Sequence, residues 1–149
     1  MTMPQLQVDA CLLCDYITSS EGGKSVLVGV YAREVVLAAQ PPSMIPLFLH
    51  IGFLPLTAKG VVTIRFVKPD RDVLFSARGD FDVPSGPSKT MMIQVNLQIP
   101  PVVPYPGDGT YSLVIGDENG DLFSKDFKLE VGVPSSATAS FNLQVKLGA

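Results

Sequence analysis

Two cysteines three residues apart, Cys11 and Cys14, and a single histidine, His50, have the widest chemical repertoire in this chain. A Cys-x-x-Cys pair does redox chemistry or holds a metal where it lies in a loop or at a helix N-terminus, because thiolate pKa values fall there. Leu6 to Ile17 reads instead as a strand. Residues three apart on a strand face opposite ways, so the two thiols are expected to be buried small hydrophobes rather than a disulfide or a metal clip. Zinc takes about four ligands, and two cysteines with one histidine fall short. His50 lies in the apolar run Leu47 to Leu56. A catalytic triad would need a nucleophile on one side of it and a carboxylate on the other. The chain has no Gly-x-Ser-x-Gly elbow, no phosphate-binding loop and no paired-glycine dinucleotide fingerprint. His50 is expected to be a hydrogen-bonded structural residue, and the chain is expected not to be an enzyme and to carry no cofactor.

The acidic residues are the remaining candidates. Asp70, Asp72 and Asp108 fall in neighbouring loops, and calcium favours several loop carboxylates together. Lys68 and Arg71 lie among them, and three monodentate carboxylates make a poor cage. Asp117-Glu118-Asn119-Gly120-Asp121 resembles a calcium loop only superficially: its glycine stands fourth, not sixth, and Lys128 occupies the twelfth position in place of glutamate. Any two of the 14 acids could form a glycosidase-like carboxylate pair, but no Trp and four Tyr make a thin aromatic platform for a sugar.

The elements that must position these residues are legible from period-two alternation. Met91, Ile93, Val95, Leu97 and Ile99 point one way, while Met92, Gln94, Asn96 and Gln98 point the other. Phe141, Leu143, Val145 and Leu147 alternate with Asn142, Gln144 and Lys146 in the same manner. Each reads as a strand with one buried and one wet face, the pattern of antiparallel sheets. Turn clusters divide such runs: Ser19 to Lys24, Thr57 to Gly60, Lys68 to Asp72 and Asp117 to Gly120. Glycine supplies positive φ in these turns and proline presets φ. No segment carries a sustained 3.6-residue apolar stripe. The expected fold is an all-β, antiparallel, immunoglobulin-like β-sandwich of about eight or nine strands over residues 1–131. Residues 132–149 are expected to be a linker followed by a C-terminal strand or arm.

Composition narrows the partners. The chain has 149 residues, 46% of them hydrophobic and 17% charged, with 13 Gly and 13 Pro. That excludes a disordered or coiled-coil chain. Eleven Lys+Arg against 14 Asp+Glu give a net charge of -3, which argues against nucleic acid as a partner. Residues 1–7 carry no positive charge, and Asp9 and Asp15 break the first apolar stretch, so a secretory signal is not expected. The longest charge-free run, Val35 to Ala58, contains Pro41, Pro42, Pro46 and Pro55 and cannot be a spanning helix. The expected setting is the cytoplasm, away from membranes.

If successive strands run up and down, loops 18–24, 57–60, 84–89 and 117–120 share one end of the sandwich. Loops 38–46, 68–72, 100–109 and 132–139 share the other. The second end holds Ile45 between Met44 and Pro46, and Tyr105 between Pro104 and Pro106, with Asp108 beyond. Apolar residues on rigid proline-rich loops lose little entropy on binding, which suits a recognition surface. Alternatively, the same loops fold over the sandwich and seal its core.

Ala10-Cys-Leu-Leu-Cys-Asp15, followed by Gly22-Gly23-Lys24-Ser-Val-Leu-Val-Gly29-Val30-Tyr31, resembles the opening of a family of small bacterial proteins known only as a domain of unknown function. In that family a strand ending in one or two acids leads through Gly-Lys to a Leu/Ile-x-Gly-Val/Ile-Tyr/Phe strand. Tyr16 stands where a second acid is frequent. The likeness extends loosely to Gly109-Thr110-Tyr111, a Gly-x-Tyr strand start of immunoglobulin-like sandwiches, and implies a β-sandwich and no activity. Read directly, Asp15 is expected to bond turn amides. Gly29 is expected to permit a bulge or close packing. Tyr111 is expected to set its hydroxyl on a neighbouring loop as a tyrosine corner does.

Together these features make the chain an expected binding or assembly module, self-associating or protein-binding. Phe141 and Leu143 would serve as its means of edge-to-edge pairing and Ile45, Tyr105 and Asp108 as further contact residues. The alternative is a sandwich that binds a sugar, a peptide or calcium at the loop end around Tyr105 and Asp108.

Overall fold

The computed structural model describes residues 3–37, 47–99, 107–131 and 140–148. Nine strands follow in chain order: β1 (Leu6–Ser19), β2 (Ser25–Tyr31), β3 (Glu34–Leu37), β4 (Phe48–Pro55), β5 (Lys59–Val67), β6 (Val73–Asp82), β7 (Ile93–Gln98), β8 (Gly109–Asp117) and β9 (Gly120–Val131). They form two sheets, one ordered β2-β1-β4-β7 and the other β3-β9-β8-β5-β6. This is a β-sandwich, as the alternation predicts.

The alternating residues meet between the sheets. Leu13, Leu49, Ile51, Phe66, Leu113, Ile115 and Phe127 are wholly inaccessible to solvent. Each such side chain contributes roughly 1.5–3 kcal/mol over its exposed state. Phe66 and Tyr111 stack with ring centroids 5.5 Å apart, and Tyr111 Oη donates to the carbonyl of Gly107 at 2.6 Å. The hydroxyl reaches back four residues at the start of β8, the tyrosine corner expected from the Gly-x-Tyr run.

Two features depart from the expected pattern. The nine strands include Glu34–Leu37, a short run that the alternation does not mark, and they omit Phe141–Leu147. β3 pairs with β9 in parallel, so the second sheet is mixed rather than antiparallel. This extra strand also changes which loops share an end. β1 runs antiparallel to β4, with Cys14 opposite Phe48. Its last residues and the 20–24 turn therefore lie at the end where β5 finishes and the 68–72 turn begins. The up-and-down count puts 18–24 at the other end because it omits β3 and so counts one crossing too few.

At the opposite end Gln5 and Asp117 close the sandwich. The buried Asp117 carboxylate accepts the Gln5 amide at 2.8 Å and, on its other oxygen, the Asn119 amide at 2.8 Å. Gln5 also accepts the Leu56 amide on its carbonyl and the Val61 amide on its side chain at 3.1 Å. The β8–β9 hairpin turns directly above this point. A side chain at Gly116 would bring its Cβ to 2.4 Å from the Gly120 carbonyl, a backbone atom that cannot step aside.

Candidate functional site

The residues with the most chemical potential are occupied structurally. Cys11 and Cys14 are free and buried. Burial pushes the Cys11 thiol up to about 11 and raises Cys14 as well, the opposite of the shift that makes a thiol a nucleophile. His50 Nδ1 donates to Asn96 Oδ1 at 2.7 Å. Asn96 in turn donates to Ser25 Oγ at 2.9 Å, and Ser25 to Gln94 Oε1 at 3.1 Å. This chain of bonds crosses the outer face of the first sheet from β4 to β7 and β2, and His50 is hydrogen-bonded within it. Among the described residues, no group of three or more His, Cys, Asp or Glu side chains is placed to hold a metal ion. No helix there is long and apolar enough to cross a membrane.

The N-terminal motif has a different physical basis from the one expected. Asp15 accepts the hydroxyl of Tyr31 across the β1–β2 pair rather than bonding turn amides. Its carboxylate lies over Gly29, whose φ is 68° and whose Cβ would strike Asp15 Oδ2 at 2.2 Å. Glycine at 29 thus lets the carboxylate approach, which is the close packing expected of it. Burial, and then the bond to Asp15, pushes the Tyr31 hydroxyl up from 10.0 to about 12. A raised folded-state pKa gives stability that is present below pH 10 and lost as pH rises through 12. Denaturant unfolding between pH 9 and 12 is expected to show this loss, and Tyr31→Phe to remove its own share. An identical pH slope in the variant would refute the assignment.

Of the five residues singled out as contacts, Ile45 and Tyr105 lie outside the described residues. Asp108 is exposed at the loop end where it was expected. The Tyr111 hydroxyl is raised by burial first and then by the charges of Asp108 and Asp70, which places both acids near that corner. Phe141 and Leu143 are 85% and 73% exposed, and Val145 and Leu147 of the same segment are 75% and 92% exposed. Residues 140–148 carry no strand pairing among the described residues, and every one of them is exposed. The sequence pattern of a half-buried strand is present, but the described residues supply no buried side for it.

Three surface features were not evident from the sequence. The first is a cleft of about 190 Å³ where the two sheets part, between the edge strands β6 and β7. Phe53, Val62, Ile64, Ile93, Val95 and Leu97 give it an apolar lining. The second is an exposed apolar stripe of Val26, Val28 and Val30 on edge strand β2, beside Tyr16. The third is a hollow of about 810 Å³ on the outer face of β5, β8 and β9, walled by mixed charge. There Arg65 and Asp121 pair at 2.6 Å, and Ser112 donates to Asp126 at 2.7 Å. Its acids are already engaged, whereas the cleft exposes core-type side chains along an open strand edge.

A model of a family of unknown function, DUF6941, matches residues 9–145. The chain belongs to this family. The DUF6941 match spans the Asp15–Gly29–Tyr31 motif and the tyrosine corner, and extends through Phe141 and Leu143 to Val145. No match was found among curated proteins. Among solved structures, the chain is similar to a beta-glucosidase from Listeria innocua in complex with isofagomine, with 8% identity and a TM-score of 0.45. The likeness covers 84% of this chain and 16% of that one, and at this level it carries no argument about activity.

Proposed function

We propose that this member of the DUF6941 family is a non-enzymatic assembly module that associates with further copies of itself through its C-terminal segment. The observation that carries this reading is the exposure of four apolar side chains, Phe141, Leu143, Val145 and Leu147, on a segment with strand alternation. Leaving four such side chains in water forgoes several kcal/mol of transfer free energy. An edge-forming segment of this kind recruits a second chain unless something blocks it. Lys146 is the one charged residue between 140 and 148.

Light scattering of the full chain and of a version ending at Gly132 tests this. The full chain is expected to have the mass of a dimer or larger, and the shortened chain that of a monomer. A full chain that stays monomeric at high micromolar concentration would remove the basis of the proposal.

A further inference from the structure

The acceptor for that segment can be identified from strand register. This inference rests on the self-association proposed above. We infer that the C-terminal segment of one copy adds as a strand to the free edge of β7 in a second copy, antiparallel to it, with its apolar side chains closing the cleft between β6 and β7.

Three observations converge on this edge. Among the described residues β7 pairs with β4 on one side only, so its other row of backbone donors and acceptors has no strand partner there. The side chains at that edge are incompletely covered: Met91, Ile93, Val95 and Leu97 pack on the core yet stay only half-buried. The cleft beside them, at about 190 Å³, is of the order of the roughly 150 Å³ apolar cavity known to take up benzene, a size suited to an apolar side chain such as Phe141.

The two segments match residue for residue. An antiparallel pairing that sets Phe141 opposite Leu97 brings Leu143 to Val95, Val145 to Ile93 and Leu147 to Met91, apolar against apolar at every inward position. The same register puts Asn142 opposite Asn96 and Gln144 opposite Gln94 on the outer face, where both β7 amides already hydrogen-bond toward Ser25. A slip by one residue would turn all four apolar side chains outward. Within one chain the segment stands clear of its own cleft, since all of 140–148 is exposed. Reciprocal exchange between two copies satisfies both segments and both edges in a closed twofold dimer.

Disulfide trapping in full-length protein tests the register. Copies carrying Gln94→Cys are mixed with copies carrying Gln144→Cys and oxidised. Both positions are exposed, so neither change threatens folding, and the native thiols are buried. The expected product is a 94–144 cross-linked dimer, about tenfold more abundant than that from Gln94→Cys with Lys146→Cys, because a diagonal pair lies beyond disulfide reach. A dimer by light scattering that gives no 94–144 link would overturn this inference while leaving self-association standing. A chain carrying both Gln94→Cys and Gln144→Cys that closes its disulfide within a monomer would also overturn it, since each arm would then fill its own cleft. A monomer without cross-links would end both proposals.

Discussion

Replacing Tyr111 by alanine is expected to lower the unfolding free energy by about 3–5 kcal/mol, the usual loss for a large buried aromatic. The ring is 1% exposed and stacks on Phe66, so truncation opens a cavity where the two sheets face each other. Tyr111→Phe isolates the other half of its role. It keeps the stack but removes the hydroxyl that donates to Gly107 at 2.6 Å, and is expected to cost about 1 kcal/mol. Urea unfolding of the two variants separates packing from the corner bond. If Tyr111→Phe proved as damaging as Tyr111→Ala, the hydroxyl rather than the ring would hold the corner.

Asp117→Ala is expected to cost about 2–4 kcal/mol, because it strands two backbone amides that the carboxylate now satisfies. Gln5 and Asn119 donate to separate oxygens of this side chain, at 2.8 Å each. Asp117→Asn retains one acceptor oxygen and presents an NH₂ to the second amide, so it should recover only part of the loss. Amide hydrogen exchange offers a sharper reading than the melting midpoint. The amides of Gln5 and Asn119 should lose protection in Asp117→Ala while those of β4 keep it. Unchanged exchange at both would show that water replaces the carboxylate freely.

The sandwich was legible because most strands bury one face only. Met91 to Gln98 alternates cleanly because β7 has core on one side and solvent on the other. Glu34–Leu37 escaped notice for the complementary reason. Val35-Val36-Leu37 is a short continuous apolar run, and its parallel partner lies at the far end of the chain, so it offers neither alternation nor a nearby turn. That one missing strand put the 20–24 turn at the wrong end. The tyrosine corner was readable because its bond spans four residues. The contact between Asp15 and Tyr31 was not, because it depends on the register of the β1–β2 pair and on what Gly29 leaves open. Phe141 to Leu147 shows that alternation reports a preference for a half-buried surface without saying which chain provides it. The cleft had no sequence signature at all: it exists because β6 and β7, neighbours along the chain, ended as edges of different sheets.

The parallel pairing of β3 with β9 has a consequence for the order in which this chain can fold. Glu34 finds Lys128, and Gln5 finds Asp117 112 residues later. On a ribosome that adds about 5–20 residues each second, β3 emerges several seconds before its partner exists. During that interval Val35, which ends with no solvent exposure, has nothing to rest against. The early hairpin of β1 and β2 can form from local contacts, but the second sheet is complete only once β9 has been made, and long-range closure of this kind is slow. The newborn chain therefore passes through a state with an apolar β3 unpaired, and chaperone binding would be concentrated on the stretch around Val35.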